Sequence, residues 1–323
     1  LHPRVRRQRQ MCIRDSTNII YIEVLKMSKY STFAFIGGDR RQIYVILGFA
    51  KDGYSVNVIG IDSDELLGKK NITVCNDLAQ AVNNADFIVL PVPYSSILDN
   101  ENINTPLSET KIKISDLFEP PILLDKKLIL AGKVDERLTA LSHLNGAGVV
   151  DYMKREELAV LNAIPTAEGA VKIAMEELPV TLHGSNCLCT GFGRVGKILC
   201  HTLSGLGTNV TVAVRKQSDL AYIKAYGYNG ADITKPLTDP RKYDVVFNTV
   251  PKMIINGSML RQLREDCLII DLASKPGGVD FESAKRLGRN VIWALSLPGK
   301  TAPLTAGNII RDTINNILNE QAR

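Results

Sequence analysis

The segment that most constrains the fold is CTGFGRVGKILC, residues 189–200, in which three glycines follow an apolar run. With a strand before it and a helix after it, the spacing G-x-G-x-x-G is typical of a dinucleotide-binding fold. Gly191 would form the tight turn, Gly193 would let backbone N–H groups approach a pyrophosphate, and Gly196 would let the helix pack on the strand. We interpret the turn as a nicotinamide dinucleotide site. The other turn residues assigned to it are Phe192, Arg194 and Val195.

The end of the next strand bears on which dinucleotide binds. VTVAVRKQSD places Arg215 where NAD-preferring folds carry an acidic residue. A carboxylate would repel a 2′-phosphate, whereas a guanidinium binds it through two parallel hydrogen bonds. We therefore expect NADP, with NAD possible. The remaining residues assigned to the cofactor site are Lys216, Ser218, Thr249, Val250 and Pro251.

Strands and helices alternate from Met27 onward, which predicts parallel sheets covered by helices. FAFIGGDRRQ and its continuation align by feature with LCTGFGRVGK and its continuation. We predict an α/β fold with two Rossmann-like doubly wound parallel-sheet domains joined by long helices. The expected parts are a substrate domain at 27–150, completed by a C-terminal helix at 304–323, and connector helices with the cofactor domain at 151–303. Within the connector, Pro165 should end or kink one helix, and Thr166 is a possible N-cap for the next.

The N-terminal copy of the turn reads IGGDRRQ, so Gln42 stands where the third glycine would be. We expect no nucleotide there. Asp39, Arg40 and Arg41 would instead lie at the carboxyl end of a strand beside a helix N-terminus, where small anions bind. Arg40 and Arg41 are therefore predicted to hold the carboxylates of a substrate.

Two further loops follow predicted strands, SKPGG at 274–278 and LPGKTAPLTAG at 297–307. Ligands of this fold gather at the carboxyl ends of parallel strands, so both loops should face the same cleft. The side chains expected to donate to an acidic ligand are Ser274, Lys275, Lys300, Thr301 and Thr305.

The positive charge of the chain is concentrated at its N-terminus. Of the net charge of +5, residues 1–26 hold six basic against two acidic side chains, which leaves 33 basic and 32 acidic residues elsewhere. A balance of this kind predicts no nucleic-acid partner. An Arg-rich segment suits a transit peptide or a nucleic-acid-binding arm. However, RQRQMCIRDS looks like translated adapter sequence, and we interpret 1–26 as a non-native or disordered tail with Met27 as the natural start.

Membrane and metal sites are not expected from composition. No apolar run approaches the roughly 20 residues of a membrane helix. Cys187 and Cys189 alternate along one strand, but no second Cys or His pair lies at metal spacing. We interpret the scattered cysteines as small core residues in a reducing cytoplasm.

Several motifs together resemble one family. GFGRVGK, LNAIPTAEGAVKIAME, DLASKPGGVDF and LPGKTAPLTAG are similar to the family of the A-type subunit of dipicolinate synthase from spore-forming bacteria. The resemblance covers nearly all of the chain after Met27. It implies oxidation of dihydrodipicolinate to pyridine-2,6-dicarboxylate with NAD(P)⁺, a reaction that branches from lysine biosynthesis. It also implies the flavoprotein-like B-type subunit of dipicolinate synthase as partner and a place in the mother-cell cytoplasm during sporulation, and we expect an oligomer.

The residue types agree with this chemistry. A small dianionic substrate would be neutralised by cationic side chains, here Arg40, Arg41, Lys275 and Lys300. Loss of a hydride to the nicotinamide and of a proton to a base gives an aromatic product. Asp39, Glu168 and Lys300 are the candidates for that base, and water or a residue of the B-type subunit are alternatives.

Two other functions stay open. A D-2-hydroxy-acid dehydrogenase shares the two-domain plan, but that family carries an Arg and a His where this chain has Ser274–Lys275 and Leu304. None of the histidines, His2, His143, His183 and His201, lies in a catalytic-looking loop. The second alternative is a non-catalytic NADP-binding subunit or sensor, which turnover with the purified partner would distinguish from an enzyme.

Overall fold

The computed structural model describes residues 31–95 and 99–321. The predicted tail at 1–26 lies outside the described residues. Twelve strands of the described chain form two sheets, each with six parallel strands.

The first sheet has the order β3-β2-β1-β4-β5-β6. Its strands are β1 (Thr32–Ile36), β2 (Ser55–Ile59), β3 (Ile72–Val74), β4 (Phe87–Val89), β5 (Leu128–Ala131) and β6 (Gly148–Asp151). The helices in this part of the chain are α1 (Arg40–Lys51), α2 (Leu78–Asn83) and α3 (Glu136–Leu144). The connector that follows contains α4 (Glu156–Leu161) and α5 (Ala163–Glu177).

The second sheet has the order β12-β11-β10-β7-β8-β9. Its strands are β7 (Asn186–Thr190), β8 (Asn209–Val214), β9 (Asn229–Asp232), β10 (Val245–Asn248), β11 (Leu268–Asp271) and β12 (Val291–Trp293). The helices between these strands are α6 (Arg194–Gly205), α7 (Gln217–Ala225), α8 (Gly257–Gln262) and α9 (Phe281–Arg286). The chain ends with α10 (Leu297–Thr301) and α11 (Pro303–Gln321).

Both sheets have the same strand order. Counted from its own first strand, each runs 3-2-1-4-5-6, the order of the dinucleotide-binding fold. The order reverses between β1 and β4 in the first sheet and between β7 and β10 in the second. Ligands of such folds bind beyond the carboxyl ends of the strands at this reversal. The predicted fold class, two Rossmann-like parallel-sheet domains, is confirmed.

Two outer strands were missed by the sequence analysis, β6 and β9. The β9 sequence NGAD consists mostly of residue types that are depleted in strands. It is extended because its backbone pairs with β8 along the sheet edge. Residue 151, expected to begin the helical connector, is instead the last residue of β6.

The connector divides at Asn162 and not at Pro165 as predicted. Pro165 is the third residue of α5, within the first turn, where its missing N–H has no helical partner to lose. Thr166 does not cap a helix, since its Oγ1 donates to the carbonyl of Asn162 at 2.8 Å.

One described helical stretch, Glu156–Glu177, has the length and mean hydropathy (1.2) of a membrane span, which the sequence analysis did not anticipate. Length and composition are the only grounds for this, and 44% of its apolar window is buried within the protein. Ala167, Ala170 and Ala174 are fully buried in the core of the second sheet. Packing inside the protein therefore accounts for these alanines, whereas the large apolar side chains of Val160, Leu161, Ile164 and Met175 are exposed.

The final helix belongs to the core of the first sheet. Its buried apolar residues, Ile309, Ile310, Ile314, Ile317 and Leu318, lie in one cluster with Phe33, Phe35 and Phe49. The chain therefore returns to its first half after completing the second.

Three glycines allow close packing among α1, α5, α10 and α11. A Cβ on Gly307 would lie 2.6 Å from the carbonyl oxygen of Arg41, so α11 crosses α1 in direct contact. A Cβ on Gly299 would lie 3.0 Å from the Arg41 Nε, and one on Gly169 would lie 2.7 Å from the Thr301 Oγ1. Helix α10 is thus held between α1 and α5.

Candidate functional site

The glycine turn after β7 is open beside its second glycine. Gly191 has φ +92°, a conformation that side chains rarely adopt. A Cβ on Gly196 would overlap the carbonyl oxygen of Gly191, so α6 can approach the turn only with glycine there. A Cβ on Gly193 would meet nothing within 4 Å. Packing therefore requires the first and third glycines, whereas the space beside Gly193 is available to a ligand.

Helix α6 presents its N-terminus to this space. It begins at Arg194, with Gly193 as N-cap and no side-chain cap. The first N–H groups of a helix have no carbonyl partner within it, and the helix dipole gives this end partial positive charge. Val195 is half-buried, and the Phe192 ring is buried in the core. The turn thus offers backbone donors in an open cradle, which fits a pyrophosphate.

A row of buried polar side chains ends the three strands next to the turn. Thr190, Asn248 and Asp271 are the last residues of β7, β10 and β11, lie in register, and are all fully buried. The Thr190 hydroxyl donates to the Asn248 Oδ1 at 2.6 Å, and the Asn248 Nδ2 donates to the Asp271 Oδ1 at 2.7 Å. We call these three residues the polar row.

The polar row holds the loops that follow β10 and β11. The Asp271 carboxylate accepts from the N–H groups of Ala273, at 3.0 Å, and Gly278, at 2.8 Å. The Asn248 Oδ1 accepts from the N–H of Val250 at 3.2 Å. Because buried polar groups need partners, the row fixes the loops 249–251 and 272–278 relative to the turn. This role was not predicted from the sequence, although each of the three apolar strands ends in a polar residue.

The predicted cofactor residues beyond the turn follow the carboxyl ends of β8 and β10. Arg215 follows the last residue of β8, and the side chains of Arg215, Lys216 and Ser218 are exposed and make no hydrogen bond or ion pair within residues 31–95 and 99–321. Thr249 instead uses its hydroxyl, which donates to the carbonyl of Thr190 at 2.8 Å. Pro251 is exposed. The free cations stand where the tip of the second strand of this fold reaches the ribose.

The equivalent turn after β1 is closed by the protein itself. The N–H of Gly38 donates to the carbonyl of Asn104 at 2.9 Å, and a Cβ on Gly37 would lie 2.7 Å from that same oxygen. Asp39 replaces the second glycine and caps α1 by accepting from the Arg41 N–H at 3.0 Å. Gln42 replaces the third glycine and is buried against Gly38. This turn has no open cradle for a dinucleotide.

Arg41, predicted to bind a substrate carboxylate, is already bonded within the protein. Its Nε donates to the Asp39 Oδ1 at 2.9 Å, and its Nη2 donates to the Asp39 Oδ2 and the Val92 carbonyl, both at 2.7 Å. The guanidinium is nearly buried. Arg41 therefore orders the turn, and the same bonds occupy the carboxylate of Asp39, which was a candidate base. Arg40, one residue earlier, is exposed.

The other predicted substrate and catalytic residues lie on three elements. Ser274 and Lys275 are exposed on the loop after β11, Thr305 is exposed on the first turn of α11, and Glu168 is exposed on α5. Lys300 and Thr301 on α10 border a groove of about 240 Å³ together with Gly169, Lys172 and Trp293. The structure thus brings Lys300 and Thr301 close to Gly169 on α5, and Glu168 is not among the residues that line this groove.

The cysteines of the described chain are buried thiols. Cys75, Cys187, Cys189, Cys200 and Cys267 are all free and buried. A hydrogen bond with Cys200, together with burial, raises the pKa of the Cys189 thiol, and burial raises that of Cys267 to about 12. In the described ranges no three His, Cys, Asp or Glu side chains are grouped as metal ligands.

An ion pair joins the glycine turn to the connector, and sequence reasoning missed it. The Arg194 Nε donates to the Glu156 Oε1 at 2.8 Å, and a second bond joins the Nη2 to the Oε2. These bonds lower the pKa of the Glu156 carboxyl. The two residues are 38 positions apart, so no local pattern could have revealed the contact.

The chain is similar to known proteins over nearly its whole length. Residues 32–153 match the family model described as the N-terminal domain of the A-type subunit of dipicolinate synthase. Over 289 residues the chain is 31% identical to the A-type subunit of dipicolinate synthase from Bacillus subtilis (strain 168), covering 89% of this chain and 95% of that protein.

Solved structures agree with this relationship. The A-type subunit of dipicolinate synthase from Bacillus halodurans superposes with a TM-score of 0.80 at 29% identity, covering 91% of this chain and 99% of that one. The transhydrogenase from Sinorhizobium meliloti superposes with a TM-score of 0.65 at 14% identity, covering 90% and 94% of the two chains, and this likeness concerns the fold alone. The motifs of the sequence and the relative at 31% identity therefore lead to one conclusion: the chain belongs to the family of the A-type subunit of dipicolinate synthase.

Proposed function

We propose that this chain oxidises dihydrodipicolinate to dipicolinate, with NADP⁺ as the hydride acceptor. The observation that carries the proposal is the contrast between the two turns. The turn at Gly193 is an open anion cradle, whereas Asn104, Asp39 and Gln42 close the turn after β1. One dinucleotide per chain follows from this contrast, with the first half left to the substrate.

The residues of the second half would hold the dinucleotide. The N–H groups at the start of α6 would bind the pyrophosphate beside Gly193, and Arg215, with Lys216 and Ser218, would bind the 2′-phosphate. The loop at 249–251, which the polar row holds in place, would border the nicotinamide half. The bound dinucleotide supplies the hydride acceptor, and the protein supplies its orientation.

The substrate is a small dianion and needs cations that are free to pair. Arg40, Lys275 and Lys300 have exposed side chains, and we assign its two carboxylates to these residues. The hydroxyl groups of Ser274, Thr301 and Thr305 would add neutral donors. Arg41 is not assigned, because its guanidinium is bonded to Asp39 and Val92.

Oxidation releases one hydride and one proton, so a base is required. The dihydro ring passes the hydride to the nicotinamide and the proton to the base, and the pyridine ring forms. Since the Asp39 carboxylate is occupied by Arg41, Glu168 and Lys300 are the candidates that remain in this chain. Lys300 would serve only in its neutral form, with Arg40 and Lys275 then holding the carboxylates. Water and a residue of a partner subunit are the alternatives outside it.

The relatives also suggest the setting of this reaction. Their name designates one subunit of a synthase and so refers to an assembly with at least one other. We propose the flavoprotein-like B-type subunit of dipicolinate synthase as the partner and the cytoplasm of the mother cell during sporulation as the place of action.

A pair of glycine substitutions tests the dinucleotide site. Gly193→Val fills the open cradle at an ordinary φ of −81° with no atom within 4 Å. Because Gly193 is the N-cap of α6 and Val caps a helix less well than Gly, the melting temperature should fall slightly, by less than in Gly196→Ala. Because the charged hydrogen bonds to the pyrophosphate are each worth about 1.5–3 kcal/mol, NADP binding should weaken about a hundredfold. Gly196→Ala is the comparison variant for stability. Its Cβ would force α6 away from the turn, so its melting temperature should fall.

Calorimetric titration with NADP and NAD measures binding, and NADPH formation from dihydrodipicolinate measures turnover, with and without the partner subunit. Wild-type binding by Gly193→Val would contradict the assignment of the turn. Normal NADP binding with no turnover, even with the partner, would favour the non-catalytic subunit or sensor instead.

A further inference from the structure

The ion pair between Arg194 and Glu156 places a carboxylate on the only cation of the glycine turn. Within residues 190–196 Arg194 is the one basic residue. The next, Lys197, has its Nζ over the rings of Phe192 and Tyr222, at 5.7 and 5.8 Å from the centroids. Glu156 therefore neutralises the one guanidinium that stands at the start of α6.

Arg194 lies where two anions can compete for its guanidinium. It is the first residue of α6, directly after Gly193 and its open space. If the proposed dinucleotide site is correct, a pyrophosphate there carries two negative charges to within reach of this guanidinium. A guanidinium binds phosphate through two parallel bonds, as it binds the Glu156 carboxylate here. A dianion is the stronger partner of the two.

We propose that Glu156 competes with the dinucleotide pyrophosphate for Arg194, so that dinucleotide binding releases α4 from the glycine turn. This inference rests on the proposed function and adds a positioning residue to it. Glu156 acts through Arg194 and touches neither the cofactor nor the substrate.

The release matters because α4 is bonded to both halves of the protein. Arg155, the residue before α4, donates to both Glu320 carboxylate oxygens on α11, at 2.6 and 2.7 Å, and to Glu157 at 2.7 Å. Helix α11 packs on the first sheet. Loss of the Glu156 bond thus frees α4 from the glycine turn and leaves it attached to the first half, while α5 stays packed in the core of the second sheet.

Four variants test this competition: Glu156→Gln, Glu157→Gln, Arg194→Gln, and Glu156→Gln combined with Arg194→Gln. Glu157→Gln is the matched control, because Glu157 lies on the same helix and pairs with Arg155 instead. Titration calorimetry with NADP and with NAD gives the affinities at low and high salt. Hydrogen exchange of residues 156–161, with and without NADP, reports on the release of α4.

Glu156→Gln should bind both dinucleotides about two- to fivefold more tightly at low salt, as expected for an exposed ion pair, and the gain should shrink at high salt. Glu157→Gln should match the wild type, and the double variant should match Arg194→Gln. NADP should speed exchange at 156–161 in the wild type. In Glu156→Gln that exchange should already be fast.

Unchanged or weaker binding by Glu156→Gln, with normal wild-type binding, would overturn this inference alone. The same holds if NADP leaves exchange at 156–161 unaltered in the wild type. Failure of the wild type to bind either dinucleotide would overturn the proposed function and the inference together.

Discussion

At the scale of single residues, Arg215 is placed to select the dinucleotide. Its exposed side chain follows β8 and makes no hydrogen bond or ion pair in the described chain. Replacement by Asp, Arg215→Asp, should weaken NADP binding about ten- to a hundredfold, because a charged hydrogen bond is worth about 1.5–3 kcal/mol and the new carboxylate adds repulsion. NAD binding should change little. Competitive titration with the two dinucleotides checks this.

Lys224→Asp is the control for Arg215→Asp, since Lys224 is an exposed cation near the other end of α7. It changes the net charge equally and should affect both dinucleotides alike. A parallel loss of NAD and NADP binding in Arg215→Asp would contradict a role for Arg215 in reading the 2′-phosphate.

At the scale of elements, the crossing of α1 and α11 depends on what each glycine faces. A Cβ on Gly307 would lie 2.6 Å from the backbone carbonyl of Arg41, whereas one on Gly48 would lie 2.6 Å from the Arg311 side chain. Backbone cannot move aside as a side chain can. Gly307→Ala should therefore destabilise the protein by about 1–3 kcal/mol, while Gly48→Ala should be neutral or gain up to about 1 kcal/mol of helix propensity.

Urea denaturation of the two variants measures the difference, with equal m-values as the sign that both unfold from the same native state. Since Gly307 packs on the first turn of α1, which also carries the proposed substrate ligand Arg40, Gly307→Ala should also raise the KM for the substrate. Equal stability of the two variants would contradict the claim that α1 and α11 cannot move apart to relieve the backbone contact at Gly307.

At the scale of the whole molecule, the first half cannot complete its core without the end of the chain. The aliphatic face of α11 contributes five buried residues to the cluster around Phe33. At about 1.5–3 kcal/mol for each buried side chain, their loss is on the order of 10 kcal/mol, which equals the stability of a typical domain. A chain ending at residue 302 should therefore lose the first half to limited proteolysis, while the second half stays protected.

The core of the second half excludes α11, so NADP binding by the truncated chain is the internal control. Protease resistance of residues 31–150 in the truncated chain would contradict a structural role for the final helix.

Much of the secondary structure of this protein could be predicted from interactions between residues close in sequence. The two glycine turns, the α/β alternation and the amphipathic last helix each depend on residues close in sequence, through φ preferences and the spacing of apolar side chains. The exceptions have separate reasons. Pairing along a sheet edge overrode the poor strand propensity of β9, and the first turn of α5 tolerated Pro165.

The tertiary structure alone decided which charged side chains are paired within the protein and which are free to bind a ligand. Arg40 and Arg41 are neighbours of the same type, yet Asp39 and Val92 engage only Arg41. The polar row joins Thr190, Asn248 and Asp271 from three strands. Glu156 meets Arg194 across 38 positions. The sequence by itself determined where the glycine turns and ten of the twelve described strands lie, because those follow from backbone preferences of neighbouring residues. Which side chains pair depended on the packed arrangement, because Coulomb and hydrogen-bond partners are set by distance in space.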